Sequence, residues 1–235
     1  MQIAPEITMI SRLNGLFNCY LVREGDGFTL VDASFKFVVP EILATVAKLG
    51  APIRRILLTH AHGDHVGGLD ALASRLPGVE IAMGRRESRF LARDFSLDAE
   101  EPQTPLHGMF PKVAARPPVL LEDGETYGSM RVIATPGHTP GHLSFLHLPS
   151  GTLLAGDAIS TVARLRVVYD SPWYFPFGNI ATWHKPTALA SVKKLAALGA
   201  RGVVVGHGKP VMSGVDEAFA YALSKVSSVN FSNAT

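Results

Sequence analysis

Short apolar runs separated by turn residues fill the first third of the chain. The runs at 17–23 and 28–33 flank the turn sequence Glu-Gly-Asp-Gly, which predicts a β-hairpin. Apolar residues recur at helical spacing between Pro40 and Gly50, which predicts a helix bounded by these two residues. Strands and helices alternate here, as they do in α/β proteins. The runs that follow predict a strand at 54–60, a helix at 65–78 and a strand at 79–84.

The alternation of predicted strands and helices is interrupted between residues 85 and 118 and continues after that segment. A short helical stretch at 85–95 leads into a region with five prolines, which predicts a long loop. Such a loop is typical both of a lid or binding loop and of a plain surface excursion. A second irregular segment, rich in aromatic residues, covers 167–186. The remaining runs predict strands at 131–136, 142–148, 152–157 and 202–208, and helices at 187–199 and 216–226.

The composition is that of one compact globular domain. The chain has 235 residues, of which 47% are hydrophobic and only 18% charged, so it can bury a sizeable core. The net charge is +2 and no block of like charges occurs, so no strong field would attract nucleic acid or an anionic membrane surface. We therefore expect a single domain over 1–235 that acts on a small-molecule substrate.

The first residues do not form a signal peptide, because a basic start, an apolar stretch and a cleavage site of small residues are all missing. No run approaches the roughly 18 consecutive apolar residues that would span a membrane. Cys19, the one cysteine, lies within an apolar run, so we expect a buried small hydrophobe and not a nucleophile. These features favour a cytoplasmic location.

A stretch that reads Thr-His-Ala-His-Gly-Asp-His follows directly on an apolar run. Because strand side chains alternate, His60 and His62 can project to the same side and reach one ion. Asp64 and His65 carry the chain past that ion and could reach a second one, and Gly63 permits the tight path between them. Imidazole nitrogens with a carboxylate oxygen suit Zn²⁺, and also Fe or Mn.

Four residues do not complete two metal sites, so further ligands must come from elsewhere in the chain. The candidates each follow an apolar run and a glycine, which lets a polar side chain emerge at a sheet edge: His138, Asp157 and His207. His138 lies in Thr-Pro-Gly-His-Thr-Pro-Gly-His, whose prolines and glycines fix the loop, so this histidine loses little entropy on binding a metal. His142 begins the next strand, and we interpret it as supporting the ligands without being one.

Taken together, the His-x-His-x-Asp-His motif, the Pro-Gly-His-Thr-Pro-Gly-His motif and the pairs Gly-Asp and Gly-His resemble the metallo-β-lactamase superfamily. The order of the motifs and their positions at strand ends match along most of the chain. The resemblance implies an αββα sandwich, with two mixed β-sheets face to face and helices on the outer faces. Within the single domain, we expect the segments 85–118 and 160–186 to be loop insertions near the site. The ligands that the resemblance implies form a first metal site, a second site and a bridge: His60, His62 and His138; Asp64, His65 and His207; and Asp157.

That ligand set indicates a binuclear hydrolase with two Zn²⁺ ions. Two divalent ions and two carboxylates leave net positive charge, so a bridging water should ionise near neutral pH. The resulting hydroxide would attack the carbonyl of an ester, thioester, lactone or β-lactam, and Asp64 would orient it and carry a proton. Two alternatives share the motif: a lactonase of the acyl-homoserine-lactone type and a persulfide dioxygenase with a single iron. A metal-binding or partner-binding domain without catalysis is a further alternative.

Residues that flank the motifs bear on this choice. The acyl-homoserine lactonases carry a tyrosine three residues after the bridging aspartate, where this chain has Ser160. The aromatic segment predicts an apolar wall for an acyl or ring-bearing substrate, and the alternatives are core packing or a homodimer contact. The wall candidates are Tyr169, Trp173, Tyr174 and Phe175. Of the isolated histidines, we expect His107 and His184 to face solvent and His147 to fill a strand.

Overall fold

Two β-sheets dominate the computed structural model, which describes residues 1–226. Seven strands form the first sheet in chain order: β1 (Gln2–Ala4), β2 (Ile7–Arg12), β3 (Phe17–Glu24), β4 (Gly27–Val31), β5 (Ile53–Leu58), β6 (Glu80–Gly84) and β7 (Val119–Leu121). β1 to β4 pair antiparallel, whereas β4 to β7 pair parallel. This sheet is therefore mixed.

The second sheet is also mixed. The strands after β7 are β8 (Thr126–Tyr127), β9 (Met130–Ala134), β10 (Leu143–His147), β11 (Thr152–Leu154), β12 (Ile159–Ser160), β13 (Arg166–Val167) and β14 (Gly202–Val204). Five of them form the second sheet in the spatial order β14-β11-β10-β9-β8, in which only β11 and β14 pair parallel. β12 and β13 form a separate two-stranded ribbon.

Helices cover the outer faces of both sheets, and the predicted αββα sandwich is confirmed. They are α1 (Val39–Leu49), α2 (Gly63–Val66), α3 (Leu69–Arg75), α4 (Arg85–Leu91), α5 (Phe177–Ala181), α6 (Lys185–Ala196) and α7 (Val215–Val226). Along β3, Tyr20 and Val22 pack between the sheets against residues such as Phe145, whereas Cys19 and Leu21 pack on the helix side. Both faces of these strands are buried, which explains why they read as continuous apolar runs.

Most of the predicted elements are present, with some different bounds. The helix at 65–78 is divided into α2 and α3, because Gly67 and Gly68 lie against the backbone of Ala33 and Ser34, where a Cβ atom on Gly68 would overlap the carbonyl oxygen of Ala33. β7 and β8 are only three and two residues long, too short to show a periodic pattern. β1, β2 and α5 are further elements that the sequence analysis did not predict.

Cys19 is fully buried, and burial raises the pKa of its thiol, which disfavours a nucleophilic thiolate. Within the described residues, no helix is both long and apolar enough to cross a membrane. The single domain predicted over 1–235 includes residues 227–235, which lie outside the described part of the chain, and it stays a prediction.

Candidate metal centre

The seven side chains predicted as ligands come together at one edge of the sandwich, five of them in loops beyond strands, and Asp64 and His65 in α2. β5, β11 and β14 end two or three residues before His60, Asp157 and His207, so these side chains belong to the loops that leave the sheets. All seven are buried except Asp64, which is partly exposed. Their donor atoms form two groups, within each of which the atoms lie within 4.8 Å of one another: His60, His62 and His138; and Asp64, His65, Asp157 and His207.

Asp157 lies between the two groups and contacts both. Its Oδ2 is 2.9 Å from Nε2 of His207 and 3.5 Å from Nε2 of His138. Its Oδ1 is 3.5 Å from Nε2 of His65 and makes no hydrogen bond. A carboxylate in this position can serve as a ligand shared by two ions.

In the first group, two imidazole lone pairs face each other. Nε2 of His62 donates to the carbonyl of His107 at 3.0 Å, which leaves a lone pair on its Nδ1. The hydroxyl of Thr182 donates to the carbonyl of Gly178, so it accepts from Nδ1 of His138 at 3.2 Å. Nδ1 of His62 and Nε2 of His138 are 3.0 Å apart, and this hydrogen-bond network makes both of them acceptors. Two acceptors this close repel each other unless a proton or a metal ion lies between them, and a metal ion bound by both lone pairs would remove this repulsion.

Burial keeps the first group in the form that binds metal. It lowers the pKa of His60, His62 and His138, so their imidazoles are neutral. Nδ1 of His60 lies 3.0 Å from the hydroxyl of Thr59, and its Nε2 is buried with no hydrogen-bond partner among the described residues. A buried polar atom without a partner is costly unless a ligand completes it. The donor set therefore fits a metal ion.

Asp32 supports this cluster and was missed by the sequence analysis. It follows β4 with a positive φ of 63°. Its carboxylate accepts from the backbone NH of Thr59 at 2.9 Å, from the hydroxyl of the same residue, and from Nδ1 of His65 at 2.8 Å. It thereby fixes the ring of His65 with Nε2 toward the other donors. A sequence signal for Asp32 was present, because this residue comes at the end of an apolar run just as Asp157 does.

Glu87 is the second supporting residue that the sequence analysis missed. It lies on α4, fully buried, and its carboxylate accepts from the backbone NH of Ala61 at 2.9 Å, the hydroxyl of Thr139 at 2.9 Å and the backbone NH of Gly141 at 3.0 Å. It joins the loop that carries His60 and His62 to the loop that carries His138. Its surroundings in the sequence, Arg-Arg-Glu-Ser-Arg, are typical of an exposed helix, so no sequence signal distinguished it.

The burial of Glu87 predicts an unusual pH dependence of stability. Burial raises the pKa of its carboxyl from 4.5 to about 7, so the folded metal-free chain holds a proton that the unfolded chain releases. The contribution of Glu87 to the free energy of unfolding should therefore fall as pH rises from about 4.5 to about 7, by up to ~3 kcal/mol. Denaturant unfolding of the chelator-treated wild type and a Glu87→Gln variant at pH 5 and 7.5 checks this. A stability difference between the two that does not change with pH would contradict it.

His142 acts as predicted, through a ligand. Its Nε2 accepts from the backbone NH of Asp157 at 3.0 Å, and its Nδ1 donates to the hydroxyl of Thr135 at 2.8 Å. That hydroxyl in turn bonds to Ser144 at 2.9 Å. With both ring nitrogens occupied, His142 positions the backbone of Asp157 and has no lone pair left for a metal.

The second group carries its own protons in the metal-free state. Burial opposes protonation of His65 and His207, but nearby carboxylates outweigh it: those of Asp32, Asp157 and Asp64 raise the pKa of His65, and those of Asp157 and Asp64 raise the pKa of His207 to about 10. Burial likewise opposes ionisation of Asp64, but the two histidines hold the pKa of its carboxyl below the usual range. A metal ion must displace these protons before it binds here.

We therefore expect the two groups to differ in how metal affinity depends on pH. Affinity at the second group should rise about tenfold per pH unit for each proton displaced, whereas the neutral first group should respond less. Competition with a chelating dye between pH 6 and 9 measures this in two variants: His60→Ala, which keeps the second group intact, and His207→Ala, which keeps the first. Equal slopes for the two variants would contradict the expectation.

The long loop packs against the metal centre and is not a plain surface excursion. Besides the His107 carbonyl, the carbonyl of Met109 accepts from the backbone NH of Gly63 at 2.9 Å. The loop therefore holds the ring of His62 and the backbone that directly follows it. The His107 side chain is exposed and His147 lies in β10, both as predicted, whereas His184 is half-buried at the start of α6 and bonds to Thr187 at 2.7 Å.

The cavity over the metal centre has a volume of about 430 Å³, and other residues than those predicted form its apolar wall. Tyr169 packs in the core beneath α6 and α7, and Phe175 is buried against the ring of His207. Trp173 and Tyr174 point outward, 89% and 56% exposed. The wall prediction is corrected, because α5 turns later residues toward the cavity. The apolar residues that line it are Phe17, Phe35, Met109, Phe177, Ile180 and Ala181.

Comparison with known proteins agrees with this architecture. The family model of the metallo-beta-lactamase superfamily matches residues 15–207. The chain is 47% identical over 193 residues to the uncharacterized protein YobT of Bacillus subtilis (strain 168), an alignment that covers 82% of this chain and 83% of YobT. It is 34% identical over 165 residues to a hydroxyacylglutathione hydrolase of Thermosynechococcus vestitus, covering 70% of this chain and 58% of that protein.

A solved structure extends the comparison to a protein with metal bound. The crystal structure of TTHA1623 in a di-iron-bound form has a TM-score of 0.63 and 27% sequence identity to this chain, covering 89% of this chain and 96% of that one. The matching family model, the shared sandwich and the clustered donor atoms lead to one conclusion. The chain belongs to the metallo-beta-lactamase superfamily and is a metal-binding hydrolase.

Proposed function

We propose that the chain is a binuclear zinc hydrolase that attacks the carbonyl carbon of an ester, thioester, lactone or β-lactam with water and breaks the acyl bond to the leaving group. The observation that carries this proposal is the position of Asp157 between two groups of donor atoms. One zinc would be held by the three histidines of the first group, the other by Asp64, His65 and His207, and both by Asp157. Nitrogen donors with carboxylates suit Zn²⁺, and Fe or Mn would also fit.

Bound divalent metals lower the pKa of a water molecule and polarise a carbonyl group. The chain supplies the rest of the chemistry. Asp64, the least buried of the seven, lines the cavity, and its Oδ2 lies 3.2 Å from Nε2 of His207. This leaves Oδ1 of Asp64 as the atom that would take up a proton and pass it to the leaving group. A substrate that covers the apolar walls of the cavity would exclude bulk water from the reacting groups.

The lactonase alternative has less support. At the position of its tyrosine, Ser160 donates its hydroxyl to the carbonyl of His207 at 3.2 Å. Neither tyrosine of the aromatic segment compensates, because Tyr169 packs in a core and Tyr174 points away from the cavity. The structure therefore supports an acyl-homoserine lactone as substrate less than the other acyl substrates of the proposal.

Elemental analysis of the purified protein, run beside a panel of esters, thioesters, lactones and β-lactams, tests the proposal. We expect two zinc ions per chain, turnover of an acyl substrate without oxygen consumption, loss of turnover after chelation, and recovery on adding zinc. One iron per chain with oxygen consumption on a persulfide would indicate the dioxygenase instead. Bound metal without turnover of any member would indicate a metal-binding domain without catalysis.

A further inference from the structure

We propose that the part of the substrate bound next to the reacting carbonyl is uncharged and apolar, an alkyl chain or an aromatic ring. Phe177 and Ile180 of α5 select this group. This inference rests on the proposed function and narrows its substrate class. Three features of the cavity over the metal centre support it. They are the apolar chemistry of its walls, the exposure of those walls to solvent, and the hydrogen bonds that fix α5 relative to His138.

The cavity walls provide nothing that would bind a negative charge outside the metal centre. Among the described residues that line the cavity, none is Lys or Arg, and the ionisable ones all belong to the two donor groups. A carboxylate placed against the walls would lose its hydration without gaining a cationic partner. An apolar group entering the same space gains contacts and loses nothing of this kind.

Several apolar side chains of the cavity walls are also unusually exposed to solvent. Met109, Phe177 and Ile180 are 63%, 60% and 64% exposed, yet all three are large and apolar. They lie at the same cavity, although Met109 comes from the long loop and the other two from α5. A cluster of exposed apolar side chains over a reactive centre is typical of a surface that a ligand covers.

α5 is fixed relative to the metal centre. Gly178 packs tightly on Val168, since a Cβ atom at position 178 would lie only 3.0 Å from Cγ2 of Val168. The hydroxyl of Thr182 bonds both to the carbonyl of Gly178 and to Nδ1 of His138. Phe177 and Ile180 are three residues apart on this helix, so they share one face. Phe177 and Ile180 are therefore held in a fixed position relative to His138 of the first donor group.

Chain-length kinetics test the inference. The zinc-loaded protein is assayed with p-nitrophenyl acetate, butyrate and hexanoate, and with mono-p-nitrophenyl succinate, which resembles the butyrate but carries a carboxylate. We expect kcat/KM to rise about threefold to fourfold for each added methylene. We expect the butyrate to be preferred over the succinate by at least ~10-fold.

Matched variants assign the selection to α5. Phe177→Ala and Ile180→Ala should each lower the hexanoate-to-acetate ratio of kcat/KM about tenfold. Trp173→Ala and Tyr174→Ala, which alter exposed aromatic residues of the same segment outside the cavity, should keep the wild-type ratio. Phe177→Arg should shift preference toward the succinate by at least ~10-fold, because it places a cation where the wall now has none.

A binding measurement separates this inference from the proposed function. N-phenyl-1-naphthylamine is an uncharged apolar dye that fluoresces when bound, and we expect binding to the wild type and loss of binding in Phe177→Arg. Ester turnover with no chain-length preference and no dye binding would overturn the inference and leave the proposed function standing. Dye binding that Phe177→Arg abolishes, in a protein that hydrolyses no ester, thioester, lactone or β-lactam of the panel, would support the apolar cavity and overturn the proposed function. A lowered hexanoate-to-acetate ratio in Trp173→Ala would also overturn the assignment to α5.

Discussion

Replacing Asp157 with alanine is expected to remove metal and activity together. Its two carboxylate oxygens lie within 3.5 Å of nitrogen atoms from both donor groups, so both groups lose a ligand atom at once. Removal of the carboxylate also leaves two buried histidines with raised pKa values beside fewer negative charges. We expect metal content to fall from two ions per chain to one or none, and kcat/KM to fall at least ~100-fold. Elemental analysis and steady-state kinetics of the same preparation measure both quantities.

A matched control for this variant lies in the same part of the chain. Asp170 is an acid outside the two donor groups, paired with Arg166 at 2.9 Å. Asp170→Ala should keep both metals and wild-type turnover. If Asp157→Ala retained two ions and full activity, the carboxylate would not be shared between the metals and the assignment of Asp157 would be wrong.

Substitution of Gly108 by alanine is expected to disable the first donor group although this residue binds no metal itself. Gly108 has a φ of +90°, and a Cβ atom there would lie 2.6 Å from Cε1 of His62. The ring must move, which breaks its hydrogen bond to the carbonyl of His107 and turns Nδ1 away from His138. We expect a loss of ~1–3 kcal/mol in the free energy of unfolding and at least a tenfold loss of metal affinity in this group.

A substitution at Gly124 is the control that distinguishes the backbone cost of alanine at a positive φ from its steric contact with His62. Gly124 has a similar φ of +85°, but a Cβ atom there would meet nothing within 4 Å. Gly124→Ala should therefore show a comparable backbone cost and retain wild-type metal affinity. Denaturant unfolding and chelator competition on both variants decide the matter, and an equal loss of metal affinity in the two would refute the steric argument.

The seven donor residues could be predicted because their signals are local, and the sandwich was predicted from the family resemblance that the motifs around these residues carry. Strands buried on both faces read as apolar runs, and a polar residue just after such a run is placed at a sheet edge. The same rule would have found Asp32, which ends the run of β4. Short strands such as β8 escaped because two residues show no periodicity.

Other parts of the site could not be predicted because they depend on contacts between distant segments. The carbonyl of His107 fixes His62 across 45 positions, and a backbone atom leaves no trace in residue identity. Glu87 looks like one acid in a charged helix until folding buries it between two loops. The aromatic segment supplies only part of the apolar wall, and through other residues than those predicted, since α5 determines which of its side chains face the cavity.

The opposed lone pairs of His62 and His138 connect metal supply to the lifetime of the protein. Without a cation between them, two buried acceptors repel each other at 3.0 Å, and this repulsion disappears when the chain unfolds. Metal that binds only the folded chain adds roughly 2.7 kcal/mol of stability at a free concentration one hundred times its Kd. A cell starved of the metal would hold more unfolded chain, and proteases would clear it. The amount of enzyme would then track the ion that it needs to work.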